Sequence, residues 1–95
     1  MPKVKRLLLD ILKPHHPNPL DFGRMLAQQG AYRVKLRVLE MDENTESLEL
    51  VIEGDNIDFE RIQASITELG GSLHSIDEVE VVGEAIMGVG GKGER

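Results

Sequence analysis

Apolar residues alternate with polar ones over residues 33–41 and 47–53, and recur at helical spacing after Asn18 and after Asp58. In RVKLRVLEM, Val34, Leu36 and Val38 share one face, with Lys35, Arg37 and Leu39 on the other. In SLELVIE, Leu48, Leu50 and Ile52 point inward, and the polar run MDENTES before it reads as a hairpin turn. Residues 4–12, VKRLLLDIL, have aliphatics in both phases: Leu7, Leu9 and Ile11 against Leu8, Asp10 and Leu12. That pattern marks a central strand with both faces largely covered. Residues 73–82, LHSIDEVEVV, form a fourth strand whose phase slips, because Leu73 and Ile76 fall on opposite faces of a regular strand. A bulge near Ser75 to Asp77 repairs it.

Two helices lie between these strands. In NPLDFGRMLAQQG, Asn18 is the expected N-cap, Pro19 occupies N1, where its missing N–H costs nothing, and Asp21 lies in the electropositive first turn. Gly30 is the expected left-handed stop, and Phe22, Met25 and Leu26 the expected buried stripe. In the second helix Asp58 is the N-cap, Ile57 and Ile62 form a hydrophobic staple, and Phe59, Ile62, Ile66 and Leu69 face the core until Gly70.

The order strand, helix, strand, strand, helix, strand is that of the ferredoxin-like split motif, an α+β fold written βαββαβ. Right-handed crossovers then put both helices on one face of an antiparallel four-stranded sheet ordered 4-1-3-2. The other face carries no helix. Leu8, Leu12, Leu39 and Val51 are expected there among Asp10, Lys35, Arg37 and Glu49, with Arg37 opposite Glu49. A mixed, partly apolar open face is a candidate subunit contact. Residues 1–86 are expected to form the single domain and residues 87–95 a flexible glycine-rich tail.

Composition narrows the chemistry. The chain has 95 residues and no cysteine, so disulfides, thiolate zinc sites and cysteine nucleophiles are excluded. Seventeen acids against eleven bases give a net charge of −6, which disfavours a phosphate backbone as partner. The basic groups Lys3, Lys5, Arg6, Lys13 and Arg33, Lys35, Arg37 have only Tyr32 as a neighbouring aromatic. No run approaches a membrane span, and the basic start is not followed by a secretory core, so the expectation is a cytoplasmic protein with no membrane partner.

In the 4-1-3-2 order the end of the first strand, the start of the last and the turn between the middle strands fall at one end of the sheet. His15, His16, His74, Asp42, Glu43 and Glu46 are therefore the candidate metal ligands, for a divalent cation held by imidazole and carboxylate. The same residues have plainer roles: histidines between prolines are ordinarily loop residues, and the DENTE turn is ordinarily a solvated tip. A calcium-loop template fails at Ser47, where glycine is required, and VGGKGE lacks the first glycine of a phosphate loop. No nucleophile with a base, and no acid and base pair, can be assigned, so no enzyme is expected.

RLLLDILKPHHP, MDENTESLELVIEGDNIDFE and GGSLHSIDEV together resemble the archaeal domain-of-unknown-function family 211, over roughly residues 3 to 86. The resemblance implies a ferredoxin-like fold and ring-like homo-oligomers, with no established activity. QQGAYRV is longer than the turn that the resemblance implies at that position, and His16 stands where an acid is usual. Two function classes follow. One is a homo-oligomeric binding or scaffold module with a candidate cation at the histidine end. The other is a regulatory module that senses a small molecule held between subunits.

Overall fold

A computed structural model describes residues 1–83 of the chain. Its elements run β1 (Lys3–Pro14), α1 (Pro19–Ala27), β2 (Arg33–Met41), β3 (Thr45–Glu53), α2 (Phe59–Glu68) and β4 (Ser72–Val82). The sheet is antiparallel with strand order β2-β3-β1-β4, so the ferredoxin-like topology is the one that the sequence pattern predicts. The expected tail, 87–95, and the last residues of the expected domain lie outside the described residues.

The inward rows meet where the alternation requires. Leu7, Leu9 and Ile11 of β1 pair with Ile52, Leu50 and Leu48 of β3. All six are buried, under Phe22 and Leu26 of α1 and Ile62 and Ile66 of α2. Each such side chain contributes about 1.5–3 kcal/mol through loss of apolar surface to water. α1 packs on β2, α2 on β4, and the helices on each other. A Cβ on Gly23 would stand only 2.8 Å from Leu36 Cδ1, so glycine is what lets α1 ride this close to β2.

The helix starts follow the sequence. Asn18 accepts the Asp21 N–H, and Asp58 accepts the Arg61 N–H. Ile57 and Ile62 are both buried, as a staple requires. α2 ends in a Schellman motif: Gly71 N–H donates to Ile66 O, Gly70 N–H donates to Thr67 O, and Gly70 has φ +87°. The end of α1 differs from expectation. The helix stops at Ala27, the left-handed residue is Ala31 with φ +57°, and Met25 is exposed. Gly30 instead lies against the Tyr32 ring, where any Cβ would collide with it. Tyr32 itself serves the fold, accepting the Asp58 N–H on its hydroxyl.

The β1–β4 ladder slips in three places: on β4 Asp77 and then His74 have no partner, and on β1 Lys5 has none. The slip at Asp77 is the expected bulge; those at His74 and Lys5 are additions. The slip at His74 brings Leu73 and Ile76 to the same side, opposite Ile11 and Leu9.

Candidate functional site

The inward row of β1 does not stop at Ile11. One step further, Lys13 continues it, and Glu46 continues the row of Leu48, Leu50 and Ile52 on β3. The two stand opposite each other in the ladder. Lys13 is 0% exposed and Glu46 4%. Their charges end the core where leucine or isoleucine would otherwise stand.

The segment after β1 closes over the ammonium. Lys13 Nζ donates to the carbonyl oxygens of Pro14 at 2.8 Å and Pro17 at 2.6 Å, and lies 3.0 Å from Glu46 Oε1. The Phe22 ring centroid is 5.8 Å away, so the first turn of α1 caps the group with an aromatic face. Two carbonyl oxygens take two of the three donors of the lysine, and the Glu46 carboxylate supplies the counter-charge. The contact to Oε1 is Coulombic rather than directional, since no donor is well aimed at that oxygen. With both charges out of water, the attraction is weakly screened.

His15 extends the cluster to the β2–β3 turn. Its Nδ1 is 2.9 Å from Glu46 Oε2; its Nε2 is 2.9 Å from Asp42 O and 3.1 Å from Glu43 O. All three partners are acceptors, so both ring nitrogens must donate, and only the imidazolium does that. The hydrogen bond to Glu46 accordingly raises the His15 pKa above its ordinary 6.5; partial desolvation opposes it, and the Asp42 and Glu43 carbonyls add to the rise. The same bond, with Lys13, lowers the Glu46 pKa against its burial. Asp42 shapes the turn: its Oδ1 accepts from the Asn44 N–H, the Thr45 N–H and the Thr45 hydroxyl, which lowers its pKa.

The candidate ligands therefore separate. His15 and Glu46 meet through their side chains, while Asp42 and Glu43 reach them through backbone carbonyls. None of the cluster's hydrogen bonds involves His16, which is exposed. His74 is on the opposite, helix-free face, beside Asp10, Leu12 and Ser47. The three histidines do fall at one end of the sheet, but that end has two sides, and the strands place His15 and His74 on different ones. Among the described residues, no group of three or more His, Cys, Asp or Glu is arranged to hold a metal ion. Lys13 already supplies a cation to Glu46, and His15 spends both nitrogens as donors.

The sequence pattern groups Lys13 with the basic residues of the first strand; its alternation with Ile11 is the signal that it points inward. The cluster has no open coordination position and no nucleophile with an adjacent base. What it does is tie the β1–α1 loop to the β2–β3 turn.

The sequence profile of the uncharacterised ArCR family, domain-of-unknown-function family 211, matches residues 5–91. The chain belongs to this family. It is also similar to an uncharacterised protein of Methanocaldococcus jannaschii, MJ0319, with 44% identity over 85 residues, covering 88% of this chain and 87% of the relative.

Proposed function

We propose that this member of family 211 is a self-assembling binding or scaffold module, a ring-like homo-oligomer rather than an enzyme, working in the cytoplasm. One observation carries the reading: exposed large apolar side chains concentrate on the two edge strands. Val38, Leu39 and Met41 on β2 are 38–62% exposed, and Ile76, Val79, Val81 and Val82 on β4 are 45–52% exposed. Scattered exposed apolar residues need no explanation, but runs of them on both open edges of a small domain mark contact surfaces. The ion pairs speak against a nucleic-acid partner. Lys3 and Lys5 pair with Asp55, Arg6 with Glu53 and Glu78, and Arg37 with Glu49, while Lys13 is buried. No helix of the described residues is long and apolar enough to cross a membrane.

The narrower reading, a sensor with its ligand between subunits, has support in a depression of about 310 Å³ lined by Leu12, Glu40, Met41, Asp42, Thr45 and Ser47. That volume is at the lower end for a small-molecule site, so a neighbouring copy would have to complete its walls. Cation binding near His15 is the third reading, and it requires displacing Lys13 or deprotonating His15.

Light scattering on the full chain at micromolar concentration tests the main proposal, with elemental analysis of the same sample. A mass several times 10.6 kDa without bound metal is expected. A monomeric mass overturns it. A stoichiometric metal whose removal dissolves the assembly would move the function to the cation reading.

A further inference from the structure

The two edges of the sheet are complementary on both of its faces. On the helix-free face β2 presents Arg33, Lys35 and Arg37, across from Glu53, Val51 and Glu49 of β3. At the other edge of that face β4 presents Glu78 and Glu80, across from Leu8 and Arg6 of β1, with the bulged Asp77 beside them. One edge is therefore mainly cationic, with Glu40 beyond Arg37 the single acid on β2, and the other is anionic.

The helix side shows a second complementarity. Leu73, at the start of β4, packs on the core. Further along, Ile76, Val79 and Val81 are 46, 50 and 52% exposed although they stand opposite Leu9, Leu7 and Val4. They form an apolar row with no helix above it. At the opposite edge a trough of about 270 Å³ runs between α1 and β2, lined by Leu20, Ala27, Val34 and Leu36, with Arg24 at its rim.

We propose that β4 of one copy pairs with β2 of the next, so that the sheet continues from subunit to subunit with all helices on one side. This rests on the self-assembly reading above and names its contact surface. Neighbouring strands in the sheet are all antiparallel, so β2 and β4 of one copy also run in opposite directions. Copies placed side by side in the same orientation then bring β4 antiparallel to the next β2, where the outward N–H and C=O groups of both strands find partners. The carboxylates of β4 meet the cations of β2 on one face. The apolar row of β4 faces the trough beside α1 on the other.

Charge also selects against the alternatives. Joining β2 to β2 sets three cations against three, and joining β4 to β4 does the same with carboxylates, whereas unlike edges attract. An interface between two different patches repeats head to tail, and it closes into a ring when its rotation allows. Lys35 and Glu80 are the most informative charges. Arg33 and Arg37 already have Glu53 at 3.9 Å and Glu49 at 3.4 Å, and Glu78 has Arg6. Neither Lys35 nor Glu80 has an ion-pair partner among the described residues of its own chain.

The test is a charge exchange on the full chain, read by sedimentation and light scattering at micromolar concentration and low salt. Lys35→Glu and Glu80→Lys should each weaken association at least about tenfold, a change equivalent to about 1.4 kcal/mol per mole of contacts. Circular dichroism should stay unchanged, because both residues are exposed. An equimolar mixture of the two variants should associate more tightly than either alone, since alternating copies each supply the edge that the other needs, and the Lys35→Glu/Glu80→Lys double variant should assemble alone. Raising salt should weaken the wild type and relieve the single variants. An assembled wild type with unaffected single variants, or a mixture that associates no more tightly than either variant alone, overturns the edge pairing while leaving self-assembly standing. A monomeric wild type overturns both.

Discussion

Lys13 and Glu46 face each other across the β1–β3 ladder at the end of the hydrophobic core, with Nζ 3.0 Å from Oε1 and neither side chain in contact with bulk water to any useful degree. Such a pair is not a free gain in stability. Dehydrating two charges costs several kcal/mol each, and their attraction offsets this only when the remaining hydrogen bonds are made. Here Pro14 and Pro17 make them for the lysine, and His15 for the glutamate. The pair thus holds the fold's most polar loops in a single arrangement.

Removing one member should therefore be severe. Lys13→Met leaves Glu46 buried beside His15 alone, and Glu46→Leu leaves an ammonium with two carbonyls but no counter-charge. Each is expected to cost about 3–5 kcal/mol. The double variant Lys13→Met/Glu46→Leu should be better than the sum of the singles by at least about 2 kcal/mol, because no uncompensated charge remains. Urea unfolding of the four proteins measures this coupling. A value near zero would mean that the two groups do not act as a pair.

Stability should be greatest in mildly acidic solution. The folded pKa of His15 is raised, so its contribution is complete below the unfolded value of about 6.5 and disappears as pH climbs through the higher folded value. Glu46 and Asp42 have lowered pKa values, so their contributions are present above about 4.5 and 3.8 and disappear as acid reaches their folded values. Thermal midpoints should thus peak between about pH 5 and 6.5 and fall on both sides. His15→Gln should flatten the alkaline fall specifically. An unchanged alkaline slope in that variant would show that another group is responsible.

Two backbone positions should respond in opposite directions. Gly70 closes the Schellman motif at φ +87°, with Pro14 Cγ 3.3 Å from where a Cβ would sit. Gly70→Ala should cost about 1–2 kcal/mol, the strain of an L-residue in the left-handed region. Ala31 already bears that strain at φ +57°, and Ala31→Gly should recover up to about 1 kcal/mol. Denaturant midpoints compare both with wild type. A stabilised Gly70→Ala or a destabilised Ala31→Gly would contradict the assigned backbone geometry.

Part of the site was legible in the chain. The phase that puts Leu7, Leu9 and Ile11 inward also puts Lys13 inward, and the phase of Leu48, Leu50 and Ile52 does the same for Glu46. Following each row one residue further identifies the pair. His15 is one of the candidate residues that the topology brings to that end of the sheet, and it meets the 42–46 turn. The rest was not legible. Sequence spacing could not separate His15 from His74, because the two are brought to the same end of the sheet and differ only in which face they take. Nor could it show that the turn offers His15 carbonyl oxygens rather than the side chains of Asp42 and Glu43.

The sequence by itself determined the element order, the helix N-caps, the strand carrying the bulge and the inward rows, because each depends on local periodicity and on the backbone chemistry of a few residues. Tertiary structure decided the rest. Burial of Lys13, the hydrogen bonds that raise the His15 pKa and the placing of a cationic and an anionic edge on opposite sides of the sheet depend on which distant strands become neighbours. A charge acquires its role from the dielectric and the partners around it, and those are set only when the chain has folded.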